Sequence, residues 1–224
     1  MSAQHGASIV TSGLTMMLDA ANTKSYPGSG ATCTDLSRNG NNGTLVNSPT
    51  YNTANSGYLA FNGTTQYATV TSNLSISEFS IICWIYSAGN QGTFTGICHN
   101  RNGANDYGIG CSYGGTTNQL GYSWAADAAT YNWASGLIIP NGKWNMVAIS
   151  STTSSATLYL NLVSVTHAHT ESSFTLTGFQ IANDTIGAGR FFNGNISTAQ
   201  FYNRALGSSE VQQNFNEHRG RYGI

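Results

Sequence analysis

Short segments rich in Val, Ile, Thr, Phe, Tyr and Trp recur along the chain, separated by clusters of Gly and Asn, the pattern of many strands joined by turns. The best-defined are Leu14–Ala20, Tyr58–Asn62, Gln66–Thr71, Phe79–Tyr86, Tyr107–Tyr113, Leu120–Ala125, Trp144–Ser150, Thr157–Thr166, Phe174–Ile181 and Ile196–Tyr202. So many strands in one domain predict two stacked sheets, an all-β antiparallel sandwich. Alternation assigns faces: Phe79, Ile81, Cys83 and Ile85 point one way, as do Leu158, Leu160 and Leu162. The opposite set in the first of these strands, Ile82, Trp84 and Tyr86, is also apolar, so that strand is covered on both sides or lines a groove. One short C-terminal helix is expected after Gly207, with Ser208 as its cap, Glu210 in its first turn, and Val211 and Phe215 stacked at i, i+4.

Composition narrows the partners. At 224 residues the chain is compatible with one sandwich domain, read as residues 13–224 behind an N-terminal arm, residues 1–12. Charged residues make up 8% of the chain, against about a quarter in an ordinary domain. Solubility therefore rests on uncharged polar groups. A net charge of -1 offers no basic field for a phosphate backbone, so no nucleic-acid partner is expected. Neither is a membrane, because no apolar run approaches the roughly 20 residues needed to span one. The opening Met1-Ser2-Ala3-Gln4-His5 lacks the features of a signal peptide, which points to folding in a cytosol and to reduced, buried thiols at Cys33, Cys83, Cys98 and Cys111.

Three further segments carry a family likeness. The first runs from Leu18-Asp19-Ala20-Ala21-Asn22 through Ser25-Tyr26-Pro27-Gly28-Ser29-Gly30 to Asp35-Leu36-Ser37-Arg38-Asn39-Gly40. The second is Trp144-Asn145-Met146-Val147 with Leu158-Tyr159-Leu160-Asn161, and the third is Phe192-Asn193-Gly194-Asn195-Ile196 with Phe201-Tyr202-Asn203-Arg204-Ala205-Leu206. In order and spacing they resemble the laminin-G-like, concanavalin A-like jelly-roll superfamily. The Ser25–Gly30 run and the two chain ends are more narrowly similar to the variety found in bacteriophage virion proteins.

Each candidate for chemistry competes with a structural role. A glycosidase needs two carboxylates about 5.5 Å apart, which alternate positions on a strand would supply. The nine acids are never closer than seven residues in sequence, and no Gly-x-Ser-x-Gly elbow occurs, so the chain is expected not to be an enzyme. Asp35, Ser37 and Asn39, followed by Gly40, copy the first half of an oxygen-ligand calcium loop, but Val46 stands where the closing Glu would be. The competing reading is an Asx turn. His167 and His169 share one side of a strand about 7 Å apart, either as a metal pair between protomers or as a solvent-facing strand end. Tyr122, Trp124, Tyr131, Asn132 and Trp133 combine aromatic faces with an amide, as a sugar site requires, although Tyr122 and Trp124 equally suit core packing. Five Asn-x-Ser/Thr sequons carry no weight in so Asn-rich a chain.

The family resemblance and these patterns lead to the expectation of a non-enzymatic phage virion structural protein, a capsid decoration, head-fibre or tail-associated module. It would be made in the host cytoplasm, assemble with other virion proteins and with further copies of itself as a homo-oligomer, and engage cell-surface glycans. The alternative is a bacterial extracellular carbohydrate-binding or adhesion domain.

Overall fold

The computed structural model describes residues 8–102, 105–170, 174–184 and 189–224. Residues 1–7, with His5 and most of the expected arm, lie outside that set, as does Glu171. In chain order the strands are β1 (Leu14–Asp19), β2 (Thr32–Cys33), β3 (Gly43–Val46), β4 (Thr50–Asn52), β5 (Tyr58–Asn62), β6 (Tyr67–Ile76), β7 (Phe79–Ser87) and β8 (Thr95–Asn102). They continue as β9 (Asn105–Cys111), β10 (Gly121–Trp124), β11 (Trp144–Ser151), β12 (Ser155–Leu160), β13 (Val163–Ala168), β14 (Phe174–Ile181) and β15 (Asn193–Tyr202). A single helical turn, α1 (Ala128–Tyr131), and a C-terminal helix, α2 (Ser208–His218), complete the elements used below.

The strands form two antiparallel sheets, a jelly-roll sandwich. One sheet runs β13-β12-β11-β7-β15-β5-β4 with β1 added on β15, and the other runs β10-β9-β8-β14-β6-β3-β2. The predicted segment Thr157–Thr166 divides into β12 and β13 because Asn161 turns the chain at φ 55°. Strand β8 escaped the pattern reading for a different reason. A bulge between Gly96 and Cys98 turns both Ile97 and Cys98 inward, which breaks the period-2 signal. Helix α1 also went unexpected; Asp127 caps it by accepting the Ala129 N–H at 2.9 Å.

The sheets meet over an apolar core to which Phe79, Ile81, Cys83 and Ile85 contribute from β7 and Ile97, Ile109, Phe179 and Ile181 from the facing sheet. All four cysteines are buried, and the Cys83 thiol is pushed up by its hydrogen bond with Cys98 and by burial. The other apolar face of β7 is covered, not grooved. Ile82 and Trp84 belong to a second core with Met146, Val211, Phe215 and Tyr222. Trp84 stacks on Phe215 at 5.5 Å and on Tyr222 at 4.3 Å, so α2 and the turn after it are a third layer.

Polar bonds hold that layer in place. Gly207, not Ser208, takes the cap position of α2, and Glu210 accepts the Gly207 N–H at 2.9 Å while pairing with Arg204. Arg221 donates to both oxygens of the buried Asp19 carboxylate at 2.9 Å, tying the chain end to β1. Residues 8–12, expected to belong to an arm, are docked on the domain. Val10 is buried, its N–H donates to Asn214 Oδ1 at 2.8 Å, and its carbonyl accepts from Tyr202 Oη at 3.0 Å.

His218 closes α2 from a buried position, and burial, reinforced by Arg221, holds its pKa down to about 4. The unfolded chain therefore takes up that proton first. Stability from this residue is full above pH about 6.5 and is lost as pH falls toward 4, by on the order of 3 kcal/mol. Denaturant titrations between pH 7 and pH 4 should show this loss, and His218→Phe should flatten it.

Candidate functional site

The sandwich has two open sides, where the outermost strands of the two sheets face each other, and aromatic side chains plug both. On one side β10 faces β13. Tyr122 and Trp124 point between the sheets, 0% and 1% exposed, so neither offers a ring to a ligand in solvent. Half-buried His169 stacks on Trp124 at 4.0 Å and half-buried His167 on Trp133 at 4.5 Å. Tyr122 Oη lies 2.9 Å from His167 Nδ1 and 3.3 Å from His169 Nδ1, and His169 Nε2 lies 3.0 Å from Thr152 O. That carbonyl accepts a hydrogen bond from the Nε2–H, which leaves His169 Nδ1 as the acceptor for the Tyr122 hydroxyl and makes His167 Nδ1–H a donor to the same oxygen. Burial pushes the Tyr122 hydroxyl up and both imidazoles down. The expected solvent-facing strand end is therefore an internal hydrogen-bonded seam.

The five residues read as a sugar platform do not form one surface. Tyr131 turns away to pack edge-on against Phe94 at 5.6 Å, Asn132 is exposed at the end of α1, and Trp133 is half-covered by His167. The calcium candidates are likewise occupied by protein donors. Asp35 Oδ1 accepts the N–H groups of Met17 and Ser37, both at 2.9 Å, while Oδ2 accepts the Ser37 hydroxyl at 2.7 Å and the Asn41 N–H at 3.1 Å. Asn39 turns its amide back on Ser37 Oγ at 2.9 Å. A cation would have to displace this set, which is the geometry of an Asx turn.

A different surface brings polar groups together: the face of the seven-stranded sheet that points away from the core. The register places Thr32, Thr44, Thr69, Gln180, His99, Gly108 and Ser123 in one row across all seven strands. Thr32 and Thr44 are exposed and Thr69 and Gln180 half-buried, whereas His99, Gly108 and Ser123 are covered. The covering groups fit because glycines leave room. A Cβ at Gly110 would meet the Tyr113 ring at 2.8 Å, and one at Gly121 would meet Tyr113 Cβ at 2.1 Å. Under that ring, His99 Nε2 lies 3.1 Å from Tyr113 Oη, and Nδ1 lies 3.0 Å from Asp106 Oδ1.

Asp184 joins from the end of β14, so that ligating atoms of His99, Asp106 and Asp184 lie within 4.8 Å of one another. That spacing suits one cation, but His99 engages Asp106, and Arg190 Nη1 donates to Asp184 Oδ2 at 2.7 Å. The donors are already compensated. Arg190 in turn lies over the Phe94 ring at 5.1 Å, and Tyr67 meets Phe191 at 6.0 Å. Sequence spacing hid this cluster because Asp106 comes from β9 and Asp184 from the segment that follows β14. The visible trace was alternation: Gly108 and Gly110 between Tyr107, Ile109 and Cys111, then Gly121 and Ser123 beside Tyr122 and Trp124.

A model of the family described as the concanavalin A-like lectin/glucanases superfamily matches residues 62–212. Among solved structures, the chain is similar to domain 4 of AbnA, an extracellular arabinanase from Geobacillus stearothermophilus, in complex with arabinotriose. That match has a TM-score of 0.71 at 18% identity and covers 91% of this chain and 98% of that one. Trypanosoma rangeli sialidase in complex with sialic acid matches with a TM-score of 0.70 at 16% identity over 100% of this chain, which spans 36% of the sialidase. The binding domain of botulinum neurotoxin serotype G matches with a TM-score of 0.63 at 13% identity, covering 90% of this chain and 50% of that one. No curated protein sequence matches the chain significantly. These likenesses establish the fold.

They also correct one expectation. The chain was expected not to be an enzyme, yet structures sharing its fold belong to an arabinanase and a sialidase, so this fold carries no such exclusion. The distance between acids along the sequence was an unsound criterion as well, since Asp106 and Asp184 converge on His99.

The seam between β10 and β13 makes a testable demand. His169→Ala removes a stacked ring and a hydroxyl partner, and is expected to lower stability by roughly 1–3 kcal/mol. It should also raise acrylamide quenching of tryptophan fluorescence as Trp124 opens to solvent.

Proposed function

The chain belongs to the concanavalin A-like lectin/glucanases superfamily, and from that premise we propose that it is a glycan-recognition module carried on a bacteriophage virion as a capsid decoration, head fibre or tail-associated part. The observation that carries the glycan half is the open end of the polar row. Thr32, Thr44, Thr69 and Gln180 present hydroxyls and an amide on one sheet face, beside the half-buried rings of Tyr67 and Phe191. Sugars are recognised by such a combination, because their hydroxyls need neutral donors and acceptors while their C–H faces stack on aromatic rings. The arabinotriose and sialic acid complexes of the similar structures support the same reading.

For the virion half, support comes from the Ser25–Gly30 run and the chain ends, which resemble virion proteins, and from a surface with few charges. Such a surface suits close packing of repeated neighbours, including further copies of the chain. A second reading, an accessory carbohydrate-binding domain of a longer extracellular bacterial protein, is favoured by the 98% coverage of the arabinanase domain.

Mass spectrometry of purified phage particles separates the two readings. Peptides of this chain are expected in particles; their presence in infected-cell lysate alone would remove the virion reading. On a glycan array, Gln180→Ala and Tyr67→Ala should each weaken binding roughly tenfold, about 1.4 kcal/mol. Undiminished binding by both variants would take the sheet face out of recognition.

A further inference from the structure

The second open side of the sandwich, between β2 and β4, holds a feature that the sheet face does not use. The run Ser25-Tyr26-Pro27-Gly28-Ser29-Gly30 connects β1 to β2 and is pinned at its base. Ser25 Oγ donates to Thr34 O at 2.7 Å and accepts the Asp19 N–H at 3.1 Å. Tyr26 is buried, and its hydroxyl donates to Gly30 O at 2.9 Å, closing the run on itself. Gly28 and Gly30 sit at φ 93° and 88°, conformations that side-chain-bearing residues rarely adopt. Across from this loop, Ser48 and Pro49 lead into β4, whose Tyr51 meets the Tyr26 ring edge-on at 5.4 Å.

Between the two walls lies a cleft of about 450 Å³ lined by Tyr26, Gly28, Gly30, Ser48, Pro49 and Tyr51, with the exposed Ala31 and the buried Leu45 completing its lining. The volume falls in the range of small-molecule sites, roughly 300–1,000 Å³. No acidic or basic side chain lines it. What it offers is a half-exposed tyrosine ring, the hydroxyls of Tyr51 and Ser48, and backbone left bare by two glycines. Because Tyr26 is locked from below, the floor is preorganised and little ordering is required when a ligand enters.

We propose that this cleft is a saccharide subsite that takes one uncharged sugar ring. The proposal rests on the glycan reading and deepens it by naming a second contact point and the charge class of the sugar. Position supports it. Ala31 is followed directly by Thr32, the open end of the polar row, and the row from Thr32 to Gln180 crosses three interstrand spacings, about 14 Å. A short neutral oligosaccharide can thus seat one ring in the cleft and lay the following rings along the hydroxyl row. An acidic sugar would meet no cation in the cleft, and burying its carboxylate there is unfavourable.

Saturation-transfer NMR with the methyl glycosides of glucose, galactose, mannose and N-acetylglucosamine, set against sialic acid and glucuronic acid, tests the cleft directly. At least one neutral glycoside is expected to bind, and the two acids are not. Tyr51→Ala should weaken binding tenfold or more, and Ala31→Trp, at an exposed position, should block the cleft while leaving the tyrosine pair in place. Gln180→Ala should weaken longer neutral oligosaccharides, which reach along the hydroxyl row, more than it weakens the methyl glycosides. Undiminished binding in both cleft variants overturns the subsite, as do oligosaccharides that bind through Gln180 with no glycoside bound; each leaves the glycan reading standing. If neither glycosides nor oligosaccharides bind the wild-type protein, both readings fall.

Discussion

Strand β7 carries large apolar side chains on both faces, and a two-layer sandwich can bury only one of them. The face bearing Ile81 and Cys83 enters the core between the sheets, while Ile82 and Trp84 need a cover from outside. Leaving an indole and an isoleucine in water would forfeit roughly 1.5–3 kcal/mol for each side chain. The C-terminal segment supplies that cover through Phe215 and Tyr222, and the arrangement of the periphery serves to fix it in place. The Asp19–Arg221 pair, the Arg204–Glu210 pair and the docking of Val10 on Asn214 all hold the third layer.

A chain with so few charges must satisfy its polar groups by neutral hydrogen bonds. Asn, Ser, Thr and Tyr side chains accordingly close loops, cap turns and line both open sides of the sandwich. The seam of Tyr122 with His167 and His169 and the Tyr26–Tyr51 contact are the same solution on opposite sides: rings fill the gap between sheets that no backbone ladder can bridge. Among the described residues the buried carboxylates have protein partners: Asp19 meets Arg221, Asp184 meets Arg190, Asp106 meets His99, and Asp35 accepts from Met17, Ser37 and Asn41.

The surface left over is neutral, hydroxyl-rich and bordered by half-covered rings. The glycan proposal rests on this surface, which lies on the seven-stranded sheet and at its β2 edge, away from the face that α2 covers. Glycines decide where it is open and where it is closed. At Gly110 and Gly121 they admit Tyr113 onto the sheet and close the β8–β10 end, whereas the row from Thr32 to Gln180 stays open.

Much of the framework was legible in the sequence, because alternation is a local property. Most of the longer strands, the apolar character of both faces of β7, and the helix with Val211 and Phe215 one turn apart could be read from neighbouring residues, whereas the short strands β2, β3 and β4 were not predicted. Where local pattern was broken, reading failed: the β8 bulge hid a strand, and Asn161 hid a hairpin turn. The site was less legible, for a physical reason. Whether Trp124 meets solvent or His169, whether Asp35 faces a cation or four protein donors, and whether Asp106 and Asp184 meet at His99 all depend on which strands become neighbours across the sandwich. The sequence by itself determined most of the longer strands, the C-terminal helix, the two apolar faces of β7 and the neutral character of the surface, because these depend on side-chain period and composition alone. Only the tertiary structure decided which aromatics are core and which residues share a surface, because register and sheet stacking bring together groups far apart along the chain.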